Sequence, residues 1–332
     1  MRLLVTGGAG FIGSNFVHYW LARHPDDHVV VYDLLTYAGN RASLADVEDR
    51  IVFVHGDIAD LGLASKVLAD EEIDTIVNFA AESHNSLAVL DPGLFARTNV
   101  LGTQLLLEAA RHAGVARFHH ISTCEVFGDL ALDSDEVFTE ESPYRPRTPY
   151  NASKAAADHY VRAYHETFGL PITITNCSNN YGPYQFPEKV LPLFITNALD
   201  DRPLPMYAST QNRREWLHVL DHCSAIDLVL REGRVGETYN VGSGLEASIE
   251  EIADLVLELT GKPAELKTIV PDRPGHDRRY LLDASKLTKE LSWEAEHGWR
   301  DGLAATVAWY VDNRAWWEPL RERVPVEETA WR

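Results

Sequence analysis

Two short stretches carry residue types that can move protons. One is Ile121-Ser122-Thr123-Cys124-Glu125-Val126-Phe127-Gly128, which reads as the end of a buried strand running into a loop. The other is Tyr150-Asn151-Ala152-Ser153-Lys154, which reads as the first turn of a helix. Tyr150 and Lys154 are four apart and so share one helix face. A neighbouring ammonium lowers a phenol's pKa and lets it serve as a base near neutral pH. Thr123 can hydrogen-bond the same substrate oxygen, and Cys124 and Glu125 add a thiol and a carboxyl at the same strand end. That is more acid–base equipment than a hydride transfer needs.

Something must hold these groups against a cofactor, and the N-terminal stretch reads as that frame. A short apolar run, Leu3 to Thr6, leads into Gly7-Gly8-Ala9-Gly10-Phe11-Ile12-Gly13 and then an apolar-periodic helix. The glycines allow a tight turn and let a pyrophosphate approach the N–H groups of a helix N-terminus. A second strand, Val29 to Asp33, ends in an acid 20 residues beyond Gly13. An acid there binds a ribose 2′-hydroxyl and repels a 2′-phosphate, so the pattern favours NAD over NADP. Strands at 51–54, 75–78, 117–122 and 172–175 alternate with helices near 60–70, 93–113 and 149–169. This alternation predicts an α/β fold: a doubly wound parallel sheet of Rossmann type, with ligands at the carboxyl ends of the strands. Gly7, Gly10, Phe11, Ile12, Gly13, Asp33, Asp57, Ile58, Ala80, Ala81 and Asn99 are expected beside the dinucleotide, with Tyr150 and Lys154.

Residues 129–148 are polar and proline-bearing and read as a loop over the site. Beyond residue 178 the pattern is less regular: helices near 189–200, 221–231 and 248–260, short strands near 204–207 and 215–219, and a long helix from about 301. The chain is expected to divide into an NAD-binding domain, 1–178, and a mainly substrate-binding region, 179–332, with some elements returning to the first.

The 332 residues carry 30 Lys and Arg against 50 Asp and Glu, a net charge of −20. An acidic chain is a poor partner for nucleic acid or an anionic membrane. There is no apolar run long enough to span a bilayer and no signal peptide at Met1. Three widely spaced cysteines, Cys124, Cys177 and Cys223, form neither a disulfide framework nor a metal-ligand pattern, which fits a reducing cytoplasm. Cys177 and Cys223 read as packing residues.

The chain resembles the extended short-chain dehydrogenase/reductases and, within them, the dTDP-glucose 4,6-dehydratase-like nucleotide-sugar dehydratases. The matching segments are TGGAGFIGS (6–14), LLTYAGN (34–40), FAAESH (79–84), STCEVFGDL (122–130), YNASK (150–154), NNYGPYQFPEK (179–189) and RPGHDRRY (273–280). The resemblance implies that Tyr150, helped by Thr123 and Lys154, takes the sugar O4 proton while bound NAD takes the C4 hydride. The C4 ketone then acidifies C5, Glu125 removes that proton, water leaves from C6, and hydride returns to C6. A nucleoside diphosphate sugar is the implied substrate, with His84, Asn179, Lys189, Arg214 and Arg273 as its contacts and the cations on the diphosphate. The implied assembly is a homodimer through the helices near 93–113 and 149–169.

The chain departs from that pattern at three places. Cys124 stands where the 4,6-dehydratases have Asp. A thiol of pKa near ~8.5 is protonated at neutral pH and can donate to a leaving hydroxyl. A similar Cys-Glu pair occurs in 5,6-dehydratases that act on UDP-N-acetylglucosamine and leave an exocyclic alkene. Asn85-Ser86-Leu87-Ala88 replaces a usual V-D-R-S, and Ala208 to Gln211 replaces a glycine-bearing turn. The leading expectation is a 4,6-dehydratase. The alternatives are a 5,6-dehydratase and a 4-epimerase, which needs only Tyr150 and NAD.

Overall fold

A computed structural model describes residues 1–272 and 274–324. The first six strands are β1 (Arg2–Thr6), β2 (His28–Asp33), β3 (Ile51–His55), β4 (Thr75–Asn78), β5 (Arg117–Thr123) and β6 (Ile172–Cys177). Then follow β7 (Asn179–Tyr181), β8 (Leu204–Tyr207), β9 (Arg213–His218), β10 (Thr238–Val241), β11 (Glu246–Ser248) and β12 (Lys267–Val270). Seven of them form one parallel sheet in the order β10-β6-β5-β4-β1-β2-β3. The winding direction reverses at β1 and β4, which opens a crevice at their carboxyl ends.

Period-two alternation explains why this sheet is covered on both faces. Leu3, Val5, Val29 and Val31 pack with Phe16, Val17 and Trp20 of the first helix and with Cys223, Ile226 and Leu230. Leu4, Val30 and Tyr32 face the other way, onto Leu106, Leu107, Val161 and Tyr164. Each fully buried side chain of this kind contributes about 1.5–3 kcal/mol. The helix carrying Cys223 (Val219–Glu232) and strand β10 both come from beyond residue 178, yet they complete this first layer. The second layer is smaller. Strands β11-β9-β7 and β12-β8 surround a core of Leu191, Phe194, Trp216, Val256, Leu303 and Trp317.

Two helical expectations met interruptions. The stretch expected as one helix near 93–113 is Pro92–Phe95, a π-helical segment Ala96–Gly102, and Thr103–Ala113. The long C-terminal helix is Trp299–Asp312, stopped at Asn313 and followed by Arg314–Trp317. The helix Pro149–Phe168 runs as expected: Thr148 caps it, with Oγ1 accepting from Asn151 N at 3.2 Å, and Gly169 at φ 69° ends it.

The loop 129–148 does not cover the crevice; none of its residues lines it. Its apolar residues turn it elsewhere: Leu130 and Phe138 are buried with Tyr280 and Leu282. Backbone bonds from Leu130 N to Arg279 O (2.9 Å) and Phe138 N to Leu281 O (2.8 Å) fix it there. Among the described residues, no helix is long and apolar enough to cross a membrane.

Candidate active site

One cleft of about 510 Å³ runs from the loop after β1 to the second layer. Its first end is built by the glycine turn. Gly7 has φ +66°, and a Cβ on it would lie 2.7 Å from Ala80 N, so the turn after β1 presses on the loop after β4. A Cβ on Gly13 would strike the Gly7 carbonyl. Gly7, Gly10, Phe11, Ile12, Gly13, Asp33, Asp57, Ile58, Ala80 and Ala81 all line the cleft. Asp33 is 7% exposed and accepts from Ala9 N (2.9 Å) and Leu35 N (2.7 Å), which aims its carboxyl along the glycine turn. A cradle that only glycine fits, with an acid at the end of β2, suits a dinucleotide without a 2′-phosphate.

Asn99 does not line this cleft. Its amide donates to Glu82 O (3.0 Å) and Ser153 Oγ (2.8 Å) and accepts from Glu82 N (2.8 Å). It therefore clamps the loop after β4 to the helix Pro149–Phe168. The π-helical segment that carries it puts that amide at the joint.

The middle of the cleft gathers Thr123, Glu125, Tyr150 and Lys154. Lys154 Nζ donates to Ile121 O at 2.7 Å and lies 3.4 Å from His120 Nε2. Burial lowers its pKa, with Asp158 and Cys177 opposing. Behind it Asp158 accepts from Ser122 Oγ and Tyr144 OH, each at 2.8 Å. The Tyr150 phenol differs from expectation. Burial, then Glu125, Cys177 and Cys124, push its pKa well above the usual value, and a hydrogen bond with Thr123 lowers it only in part. Desolvation dominates, and the short bond of Lys154 goes to the Ile121 carbonyl.

Cys124 also departs from the expectation of a catalytic donor. It is completely buried, it does not line the cleft, and it packs with Val126, Phe127, Leu130, Phe138 and Tyr280. Burial, then Glu125, holds its thiol well above the usual range. The short 3-10 turn Cys124–Val126 keeps Glu125 on the cleft and turns Cys124 away. Cys177, read as packing, does line the cleft; it sits opposite Thr123 in the β5–β6 register. Its thiol is pushed up to about 12 by burial.

The far end holds His84, Asn179, Lys189 and Arg214. Arg214 is 6% exposed, and its guanidinium donates to the carbonyls of Arg213 (2.8 Å), Arg278 (3.2 Å) and Asp277. Among the described residues no carboxylate pairs with it. Lys189 donates to Ser83 O at 2.7 Å and lies 3.4 Å from Glu188 Oε1. His84 Nε2 is 3.4 Å from Glu188 Oε2, and Asn179 Oδ1 accepts from Tyr280 OH at 2.6 Å. Arg273 lies outside the described residues.

The profile described as GDP-mannose 4,6 dehydratase matches residues 4–306. The chain belongs to that family. Within the GDP-mannose 4,6 dehydratase family it is 51% identical to a dTDP-glucose 4,6-dehydratase of Mycobacterium tuberculosis, over 97% of both chains. The structure of a dTDP-glucose 4,6-dehydratase from Streptomyces venezuelae, solved with NAD bound, matches at TM-score 0.93 and 52% identity, covering 96% of this chain and all of that one. A UDP-glucose 4-epimerase from Thermotoga maritima matches at TM-score 0.88 and 27% identity, covering 95% of this chain and all of that one.

Sequence reasoning about this family member missed several cleft residues. Glu82 and Glu188 line the cleft and are both buried carboxyls held above their usual range by desolvation, and Tyr37, behind the lining, donates to Glu188 Oε1 at 2.8 Å. Asn85 reaches Glu125, and Tyr280 closes the wall beside Arg214 at 4.8 Å. The quoted motifs contain Tyr37, Glu82, Glu188 and Tyr280, so the signal was motif membership, not spacing.

Proposed function

We propose that this chain is an NAD-dependent nucleotide-sugar dehydratase, a hydro-lyase most like dTDP-glucose 4,6-dehydratase. The observation that carries the reading is a carboxyl, Glu125, lining the same cleft as Tyr150, Lys154 and Thr123. A site that only oxidises or epimerises at C4 has no use for a second base. NAD, when bound, supplies the hydride acceptor for C4 and a positive ring charge that favours the phenolate. The glycine turn, Asp33 and the loop after β4 are the groups that hold it.

Tyr150 takes the proton from the sugar O4, with the Thr123 hydroxyl on the same oxygen. Lys154 holds the helix of Tyr150 to β5 and brings its ammonium to the same cleft. Once C4 is a ketone, the C5–H bond is acidic and Glu125 removes that proton. The electron pair forms C5=C6 as the C6–O bond breaks, and the hydroxyl leaves as water. Glu125 lines the cleft with Tyr150 and Thr123, and we assign it both the removal at C5 and the protonation of the leaving oxygen. Cys124, turned into the core, is left as packing. Arg214 is the cation best suited to the diphosphate, since its charge is balanced by carbonyls alone among the described residues. His84, Asn179 and Lys189 are assigned to the substrate, the last of them held by Ser83 and Glu188.

We divide the chain functionally into an NAD-binding layer, residues 1–178 with the helix Val219–Glu232 and β10, and a substrate-binding remainder. A homodimer is supported by the exposed face of Ala152, Tyr160, Ala163 and Thr167 on the helix Pro149–Phe168, beside exposed Leu101. Light scattering at a two-chain mass checks it. A cytoplasmic location agrees with three free, buried cysteines.

The test is incubation with dTDP-glucose and with UDP-linked hexoses, followed by mass spectrometry and NMR. A product lighter by about 18 mass units, with a C6 methyl, supports the reading. Unchanged mass with inverted C4 makes it an epimerase, and an exocyclic alkene makes it a 5,6-dehydratase.

A further inference from the structure

Glu125 is anchored at two points. Its backbone N–H donates to Thr123 Oγ1 at 3.2 Å, which fixes where the residue leaves the strand end. Its side chain is held by a residue from another part of the chain: Asn85 Nδ2 donates to Glu125 Oε2 at 3.2 Å. Asn85 opens the short helix Asn85–Leu90 after β4 and lines the cleft. The other end of its amide is also engaged, Oδ1 accepting from Thr148 Oγ1 at 3.1 Å. Thr148 is the cap of the helix that carries Tyr150 and Lys154.

We propose that Asn85 is the positioning residue for the proton-abstracting carboxylate. It ties Glu125 to the cap of the Tyr150 helix, which sets where the carboxyl stands relative to Tyr150. The directions of the bonds decide its orientation. Rotating the amide by half a turn would aim Oδ1 at the carboxylate and exchange a charge-assisted hydrogen bond for a repulsion. An amide donates at any pH, so the carboxylate is oriented without a competing titration. A glutamate has three rotatable side-chain bonds, and among the described residues Asn85 is the hydrogen-bond donor that fixes the carboxyl end. The position is also one where the chain leaves the pattern of the dehydratases it resembles, and so is Cys124 on the other side of Glu125. Both departures border the same carboxyl.

The proposal rests on Glu125 being the C5 base, and the experiment separates the two claims. Enzyme loaded with NAD is given dTDP-glucose in D₂O. Single-turnover absorbance reports C4 oxidation, and NMR reports deuterium entering C5. Asn85→Val removes both bonds. Its C4 oxidation and KM are expected to stay within about twofold of wild type, while C5 exchange falls about tenfold or more, the usual effect of losing a hydrogen bond to a charged group. Asn85→Asp keeps the shape but sets a like charge against Glu125, and is expected to slow C5 exchange further. Exchange at the wild-type rate in both variants overturns the assignment to Asn85 alone. Equal loss of oxidation and exchange in both overturns it too, because that is collapse of the cleft. Wild type that oxidises C4 without exchanging C5 overturns the reading of Glu125 and this proposal with it.

Discussion

Lys154 Nζ donates a 2.7 Å hydrogen bond to the carbonyl of Ile121, two residues before Thr123. The bond joins the helix that carries Tyr150 to the strand that ends in Thr123 and Glu125. Lys154 thus has a structural duty beside its charge, and the two catalytic groups are separable by mutation. Tyr150→Phe is expected to lower kcat by at least about 100-fold with little change in melting temperature. Lys154→Met is expected to lower kcat as well and also to lower the melting temperature, since the bond that ties the helix of Tyr150 to β5 is lost. Steady-state kinetics and thermal melting of both variants check this.

Cys124 is a packing residue in this account. Cys124→Ala is expected to keep kcat within about threefold and to cost about 1–2 kcal/mol of stability from the small cavity it opens. A loss of kcat beyond about tenfold, with a folded protein, would put the thiol in the reaction.

The layout of the sheet was legible in the sequence because strand and helix periods differ and the glycine turn marks where they begin. The strand ends at Asp33 and Asn78 were legible for the same reason, and the end of β5 was read at Ser122, one residue short of Thr123. What faces the cleft at the end of β5 was not. Cys124 and Glu125 are adjacent, and only the 3-10 turn after Thr123 decides which of them turns inward. The helix interruption at Asn99 was hidden because no proline or glycine from Ala96 to Leu101 marks the π-helical turn. The loop 129–148 was misplaced because Leu130 and Phe138 are too few to signal burial before the partner segment near Leu282 is known. The return of β10 to the first sheet is a long-range pairing with β6, beyond the reach of local pattern.

Cofactor choice rests on Asp33. Burial raises its pKa, while bonds from Leu35 N and Ala9 N act the other way. Asp33→Ser removes the charge that would repel a 2′-phosphate. Calorimetric titration is expected to show NADP affinity rising relative to NAD by about tenfold or more.

Acid sensitivity follows from buried histidines. His119 and His222 are completely buried, and burial pulls each down to about 3 from 6.5. The unfolded chain therefore binds more protons than the folded one between those values. Their stabilising contribution is whole above pH 6.5 and is lost as pH falls toward 3. His222→Gln is expected to lose roughly 2–4 °C less in melting temperature than wild type between neutral pH and about pH 5.

The central claim is that oxidation at C4 exists to make C5 acidic for one carboxylate. Glu125→Gln keeps the size of that side chain and removes its basicity. Given dTDP-glucose in D₂O, this variant is predicted to oxidise C4 at close to the wild-type rate, while C5 deuteration and water loss fall by about 100-fold or more. Water loss at the wild-type rate from Glu125→Gln would contradict the account.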